Sequence, residues 1–263
     1  MSYFLERKPG NLWLGKFSSF PSRLVTHGIS TRLGGKSKKP YDSLNLALHV
    51  GDDEEAVLAN RRIFAQEVDV SAKDLVSPNQ VHGDKVYRVT KKDAGRGAEN
   101  YAEAIPETDA LITKESVPLM LCFADCVPLL FFDPVQMAVG IAHAGWRGTA
   151  LSIGAKTVGA MKREFGTMPE DVLVAIGPAI GSCCYEVTED TAATFRDTFP
   201  AWEKQILQEK DGKIFLDLWE TNSLSLVEIG VSPEHIDIAK TCTASENAWY
   251  FSYRQDGATT GRI

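Results

Sequence analysis

The chain has 263 residues, 44% of them hydrophobic and 24% charged, with a formal net charge of −7. That is enough apolar material for a substantial core, read as one domain over residues 1–263, and the scattered Lys and Arg, grouped only at Lys36–Lys39 and Arg61–Arg62, exclude the basic stripe of a nucleic-acid binder. No run reaches the roughly eighteen apolar residues of a membrane span, and the opening MSYFLERKPGNLWLGKF has neither the apolar centre nor the cleavage site of a signal peptide, so a cytoplasmic protein is expected.

In chain order, Leu33–Tyr41 reads as an exposed loop rich in Gly, Lys, Ser and Pro. Asp52 with Glu55 three residues on resembles a capping box and predicts a helix to about Gln66. Weak alternation predicts a strand over Val81–Thr90, and Asp93–Ile105 reads as a second exposed loop. Val117–Phe132 is nearly all apolar but broken at Ala124–Asp125. It predicts two buried strands around a bend, or one kinked strand. Met137–Ala142 predicts a strand leading through His143 into a helix from about Ala150 to Phe165, closed by Gly166. Asp171–Ile176 predicts a strand and Glu189–Phe199 a helix. Asp211-Gly212 signals a hairpin before a strand at Ile214–Leu218. A helix over Leu218–Ile229 ends at Gly230, and strands follow at His235–Ala239 and Trp249–Arg254. Alternating elements interrupted by hairpins predict an α+β fold with mixed β-sheets flanked by helices.

Three residues distant in sequence carry the chemistry: His82 in NQVHGD, Cys126 in CFADCVPLL and His143 in IAHAGWRGT. Each is expected where a strand gives way to a Gly- or Pro-marked turn. One thiol and two imidazoles converging there would bind a borderline metal and leave a fourth position open, as in catalytic zinc sites. Taken singly, His82 reads as a surface histidine and Cys126 as a small buried hydrophobe. Asp125 beside Cys126, inside an apolar run, needs a partner or a task, such as proton transfer or orienting a ligand. Gly145-Trp146-Arg147-Gly148 suits an anion at a helix start, or is a plain cap with a surface Arg147. Cys122 and Cys126 on one extended strand lie too far apart to share a metal, and Cys183–Cys184 is a weaker metal candidate. Five cysteines, an odd number, fit reduced thiols better than a disulfide framework.

The segments TRLGG, PYDSLNLALHVGDD, NRR, NQVHGDKV, DALIT, CFADCVPLLFFDP, AHAGWRGT, GPAIGSCCYEV, FLDLWETN and FSYRQDGATTGR run in that order. Together they resemble the YfiH family, also called laccase-domain or polyphenol-oxidase-like proteins, over nearly the whole chain. The resemblance implies α/β/α layers around mixed sheets, and zinc (or copper) bound by His82, Cys126 and His143. It implies phosphorolysis of purine nucleosides (adenosine, inosine, guanosine, methylthioadenosine) with adenosine deamination. It also implies, as alternatives, amide cleavage in cell-wall precursors or copper-dependent phenol oxidation.

Only five histidines exist, His27, His49, His82, His143 and His235, too few for a multicopper oxidase once two serve the first site. For the nucleoside reaction, Asp125 is the candidate acid, Arg147 and Arg62 the candidate phosphate ligands, and Asn45 and Gln80 the candidate partners of sugar or base. Arg61 and Arg62 also read as an exposed helix face. A metal-free reading makes Cys126 a nucleophile with His143 or His82 as base. A further alternative is a metal-stabilised interaction module without catalysis. The expected partners are a purine nucleoside and phosphate, without nucleic acid or membrane, acting on a monomer or weak homodimer.

Overall fold

The structure, a computed structural model, describes residues 3–263. Strands β1 (Tyr3–Lys8), β2 (Leu12–Phe17) and β3 (Ile29–Ser30) form a small antiparallel sheet. Helix α1 (Glu54–Glu67) packs Ile63 and Phe64 against Leu12 and Leu14 of that sheet. Its cap is Asp53, one residue later than the sequence reading, because the Asp53 carboxylate accepts the Glu55 N–H. Asp52 instead accepts from the Asn45 side chain.

Then come β4 (Val86–Arg88), β5 (Ala110–Thr113), β6 (Val127–Asp133) and β7 (Ala138–Ala144). Helices α2 (Trp146–Ala150) and α3 (Ile153–Phe165), strands β8 (Leu173–Ile176) and β9 (Glu186–Val187), and helices α4 (Glu189–Thr198) and α5 (Glu203–Ile206) follow. The chain closes with the hairpin β10 (Leu207–Lys210) and β11 (Lys213–Leu216), α6 (Leu218–Glu228), β12 (Ile236–Ile238) and α7 (Tyr253–Asp256). Asp211 and Gly212 both take positive φ, the backbone of a two-residue hairpin turn.

The main sheet has six strands in the order β12-β8-β6-β7-β5-β4. Its outer pairs β12/β8 and β4/β5 are parallel and the inner pairs antiparallel, so the sheet is mixed. Every residue of β6 is buried, as expected for a central strand covered on both faces. Val127, Leu129 and Phe131 face α3 and α6 through Val158, Met161 and Leu226. Leu130 and Phe132 face the other way, toward Phe17, Phe20, Leu121 and Tyr250. That second face is covered by the small sheet and irregular chain, with α1 behind them, rather than by a plain helical layer.

The buried runs that lack strand structure are informative. Val117–Phe132 yields one strand, not two. Its first half pairs with loops instead: Val76 bridges Leu119, and Phe123 exchanges backbone hydrogen bonds with Ile263. An apolar run reports burial, not a ladder partner. The expected Val81–Thr90 strand shrinks to β4, and the expected Trp249–Arg254 strand is a turn followed by α7, whose Ser252 hydroxyl accepts the Gln255 N–H. The expected helix at Ala150–Phe165 is α3, which starts at Ile153, and the Gly-rich turn before it holds the short helix α2, set apart by Ser152 in a left-handed backbone (φ 57°). Neither supposed exposed loop is fully exposed: Ser37 and Tyr41 are buried in the first, and Asp93, Ala98 and Ile105 in the second.

Candidate metal centre

Sheet register explains why distant residues meet. Val127 of β6 pairs with Ala144 of β7, so Cys126, just before β6, lies at the end of the sheet where β7 carries His143. Ala110 of β5 pairs with Ala142, and the His143 N–H donates to the Asp109 carbonyl (2.8 Å). Because β4 runs parallel to β5, the loop before β4 reaches the same edge and delivers His82. His82 and Cys126 therefore precede strands rather than end them, and His143 alone lies within one.

One donor atom from each of His82, Cys126 and His143 lies within 4.8 Å of the others. The two imidazole rings are 4.8 Å apart, centroid to centroid. His82 is exposed, Cys126 half-buried and His143 buried, so the cluster opens to solvent on one side. Gly145 closes another side: a Cβ there would lie 2.9 Å from the Cys126 sulfur and 3.1 Å from His82 Cδ2.

Asp109 organises this edge and was missed in the sequence. Its fully buried carboxylate accepts the backbone N–H groups of Val81 (3.1 Å), His82 (3.0 Å) and Gly83 (2.8 Å). It also meets His143 Nδ1 at 2.8 Å. These contacts hold the turn at His82, whose φ of 60° is unusual for a residue other than glycine. They also leave Nε2 as the His143 ring nitrogen not engaged by Asp109 and available to Cys126. Burial opposes charge on Asp109, but the hydrogen bond from His143 and the Gly83 and Val81 amides outweigh it and hold the carboxyl below its usual range. The only signal in the sequence was a carboxylate directly before the apolar strand ALIT.

Burial likewise opposes ionisation of Cys126, yet the charge of His143 and hydrogen bonds from both imidazoles win and depress the thiol. Burial opposes protonation of His143, and Cys126 and Asp109 outweigh it in turn, raising the imidazole. Both shifts favour moving the thiol proton toward His143, and a cation bound between the two displaces that proton. A thiolate and two imidazoles, one oriented by a buried carboxylate, are a donor set that fits zinc or copper.

The other residues singled out in the sequence fall differently. Asp125 is buried, but its carboxylate accepts from the Thr243 hydroxyl (2.5 Å) and the Arg254 N–H (2.8 Å), which makes it a brace between segments. Asn45 is fully buried: its Nδ2 donates to Ala47 and Asp52, and its Oδ1 accepts from Ala47 and Arg262, so no atom is left for a sugar. Gln80 spends both ends of its amide on the Cys122 backbone (2.9 Å each), fixing the approach to Cys126. Arg62 is exposed and faces Glu99 at 3.9 Å. Its neighbour Arg61, read as part of the same exposed face, is buried and donates to the carbonyls of Leu46, Gly97 and Ala98. Arg147 is exposed and lies over the Trp146 ring.

Two further residues lie within electrostatic reach of Cys126. Tyr185 is half-buried, and burial followed by the charge of Cys126 pushes its hydroxyl up to about 12, so it stays a proton-bearing donor. Arg262 is half-buried beside Cys126 and Asp125, and its guanidinium donates only to the backbone carbonyls of Thr260 and Gly261. Among the described residues no carboxylate pairs with it. Both sit in motifs (CCYEV and TTGRI) whose role sequence pattern alone does not reveal.

A mixed sheet gathering one thiol and two imidazoles at a single edge defines a class of protein with a candidate metal centre built from strand ends. Residues 26–263 match the family described as multi-copper polyphenol oxidoreductase laccase, and the chain belongs to that laccase/YfiH-like family. It is 45% identical over 238 residues to the purine nucleoside phosphorylase YlmD of Geobacillus stearothermophilus, covering 90% of this chain and 87% of that protein. The purine nucleoside phosphorylase YlmD of Bacillus subtilis is 39% identical over 240 residues, covering 91% and 86%. The crystal structure of the Geobacillus protein superposes with a TM-score of 0.92 at 41% identity, covering 99% of this chain and 96% of that one. That of the hypothetical protein YfiH from Bacillus licheniformis also gives 0.92, at 39% identity, covering 98% and 96%. Among the described residues no helix is long and apolar enough to cross a membrane.

Proposed function

We propose that the chain is a metal-dependent purine nucleoside phosphorylase acting on adenosine, inosine, guanosine and methylthioadenosine, with adenosine deamination as a second activity. The observation that carries this reading is the convergence of His82, Cys126 and His143 within 4.8 Å at a solvent-open edge, in a chain whose relatives bear the phosphorylase name. Zinc, or copper in its place, held by these residues would supply a Lewis acid with a vacant coordination position.

The chain's own residues do the rest. Asp109 keeps His143 in one tautomer and orientation through the 2.8 Å contact at Nδ1. Tyr185 keeps its proton and donates a hydrogen bond to a substrate oxygen. Arg262, lacking a carboxylate partner, holds phosphate by charge, with exposed Arg147 at the rim. Gly145 leaves room beside the sulfur that any larger residue would fill. The test is to incubate purified protein with adenosine, with and without phosphate, and to resolve adenine, inosine and hypoxanthine by chromatography. Adenine that depends on phosphate supports phosphorolysis, and inosine without phosphate supports deamination. If neither adenine nor inosine forms under either condition, the reading is refuted.

One observation favours a second reading. Cys126 as thiolate, His143, and Asp109 on His143 Nδ1 also have the order of a Cys-His-Asp hydrolytic triad. That enzyme would cleave an amide, such as one in a cell-wall precursor, would die on thiol alkylation and would ignore chelators. Phenol oxidation by a multicopper mechanism has less support: among the described residues His27, His49 and His235 lie outside the cluster, so the histidines for a trinuclear site are not assembled.

A further inference from the structure

A second group of three sulfurs converges elsewhere. One sulfur from each of Cys183, Cys184 and Cys242 lies within 4.8 Å of the others, and all three are free thiols. Cys183 and Cys184 come from the loop between β8 and β9, and Cys242 from the segment after β12. Backbone pairing holds these segments side by side: Ala179 bridges Cys242, and the Thr243 N–H donates to the Ala179 carbonyl (3.0 Å). The convergence is therefore fixed by the fold and not by side-chain rotamers alone.

The surroundings suit metal-bound sulfur. The Gly181 N–H points at Cys242 Sγ (3.3 Å), and the Ser245 hydroxyl lies 3.3 Å from Cys184 Sγ and 3.7 Å from Cys183 Sγ. Ile180, Ala244 and Trp219 form an apolar wall around the cluster. Cys242 is buried, Cys184 half-buried and Cys183 exposed, which gives a graded path from solvent to the innermost sulfur.

We propose that Cys183, Cys184 and Cys242 form a soft-metal site, separate from the His82–Cys126–His143 centre, that takes monovalent copper, Cu(I), in three-coordinate thiolate ligation. Soft thiolates select Cu(I) over harder cations. With metal–sulfur bonds of about 2.3 Å, three sulfurs around a trigonal ion sit about 4 Å apart. Cys183 and Cys184 are already 3.7 Å apart. Zinc would have to complete its tetrahedron here with water, since the nearby Ser245 offers only a neutral hydroxyl, whereas Cu(I) is satisfied by the three sulfurs alone. Binding displaces the thiol protons to solvent and needs no change in oxidation state.

Trp219 provides a reporter. A Cβ on Gly181 would meet Trp219 Cη2 at 2.9 Å and Cys183 Sγ at 3.4 Å, so the indole edge and the sulfur border the same glycine. The experiment is an anaerobic titration of the reduced full chain with Cu(I) against bathocuproine disulfonate, followed by tryptophan fluorescence. It compares wild type, Cys126→Ala, Trp219→Phe and the double variant Cys183→Ser/Cys242→Ala. Cys126→Ala is expected to retain one tight Cu(I) with a fluorescence change that Trp219→Phe abolishes. The double variant is expected to lose that ion, with affinity falling beyond the roughly 10–100-fold typical of losing an outer partner. Equal stoichiometry and affinity in wild type and the double variant would overturn the proposal. Should circular dichroism show the double variant unfolded, Cys183→Ser at its exposed position decides: a tenfold or greater loss is expected, and an unchanged affinity overturns the site.

Discussion

Replacing Asp109 by Asn removes one charge and one acceptor while keeping the side chain's shape. In the native protein Oδ1 accepts from His82 N and meets His143 Nδ1, and Oδ2 accepts from Val81 N and Gly83 N. An amide has a single oxygen, so in either orientation two of these four donors face an NH2 group. A fully buried donor left without an acceptor costs about 1–3 kcal/mol, and because the Val81, His82 and Gly83 amides are only part-buried and can turn to water, the expected loss is at the low end, about 2 kcal/mol. That is a large share of the roughly 5–15 kcal/mol that holds a typical domain together. The same change frees the His143 ring and the His82 turn, so metal affinity should fall about 10–100-fold. Urea denaturation measures the first quantity, and zinc competition against a chromophoric chelator measures the second. Asp109→Glu, which keeps the charge, serves as the milder variant if Asp109→Asn does not fold. Wild-type stability together with wild-type zinc affinity in Asp109→Asn would refute the role given to this carboxylate.

Gly145→Ala places a methyl 2.9 Å from the Cys126 sulfur at a backbone φ of −68° that alanine accepts. The resulting overpacking of about 1–3 kcal/mol should lower the melting temperature by a few degrees and weaken zinc binding by isothermal calorimetry. Arg262→Gln should raise the KM for phosphate about 10-fold or more, from loss of hydrogen bonds to a charged group. Arg62→Gln, which loses only an exposed ion pair, should leave that KM within about twofold. Stability should also depend on pH through His27. Its Nε2 accepts the Phe17 N–H (2.9 Å), and burial, with a smaller push from Lys16, lowers the imidazole to about 4. The unfolded chain then binds the extra proton first, so this stabilisation is complete above about pH 6.5 and is lost as pH falls from there through about 4. Denaturation at stepped pH should show that slope in wild type and a shallower one in His27→Leu; equal slopes would contradict it. Dipicolinate should abolish phosphorolysis and added zinc restore it, whereas a metal-free Cys126 hydrolase would be indifferent to both.

Much of this was legible in residue order. Turn and cap chemistry gave the β10–β11 hairpin at Asp211-Gly212, the end of α3 at Gly166 and the end of α6 at Gly230, because these features are local. The three donors His82, Cys126 and His143 were legible as well, since soft ligands beside turn residues have few other uses. What pattern could not show was long-range satisfaction of polar groups. Asn45 and Gln80 look like substrate contacts until their amides are seen spent on Arg262 and Cys122. Asp125 looks like a free acid until Thr243, 118 residues away, closes on it. Asp109 looks like the polar start of a strand until four donors are found around it. Arg61 and Arg62, adjacent and identical in type, divide into a buried clamp and a surface ion pair because the helix turns about 100° per residue.

The most direct measurement is zinc K-edge X-ray absorption on the full chain loaded with one equivalent of zinc. The expected spectrum contains two imidazole nitrogens at about 2.0–2.1 Å, one sulfur at about 2.3 Å and one light atom at the remaining position. A shell without sulfur, or one with three sulfurs, would place the metal elsewhere and contradict the centre built from His82, Cys126 and His143.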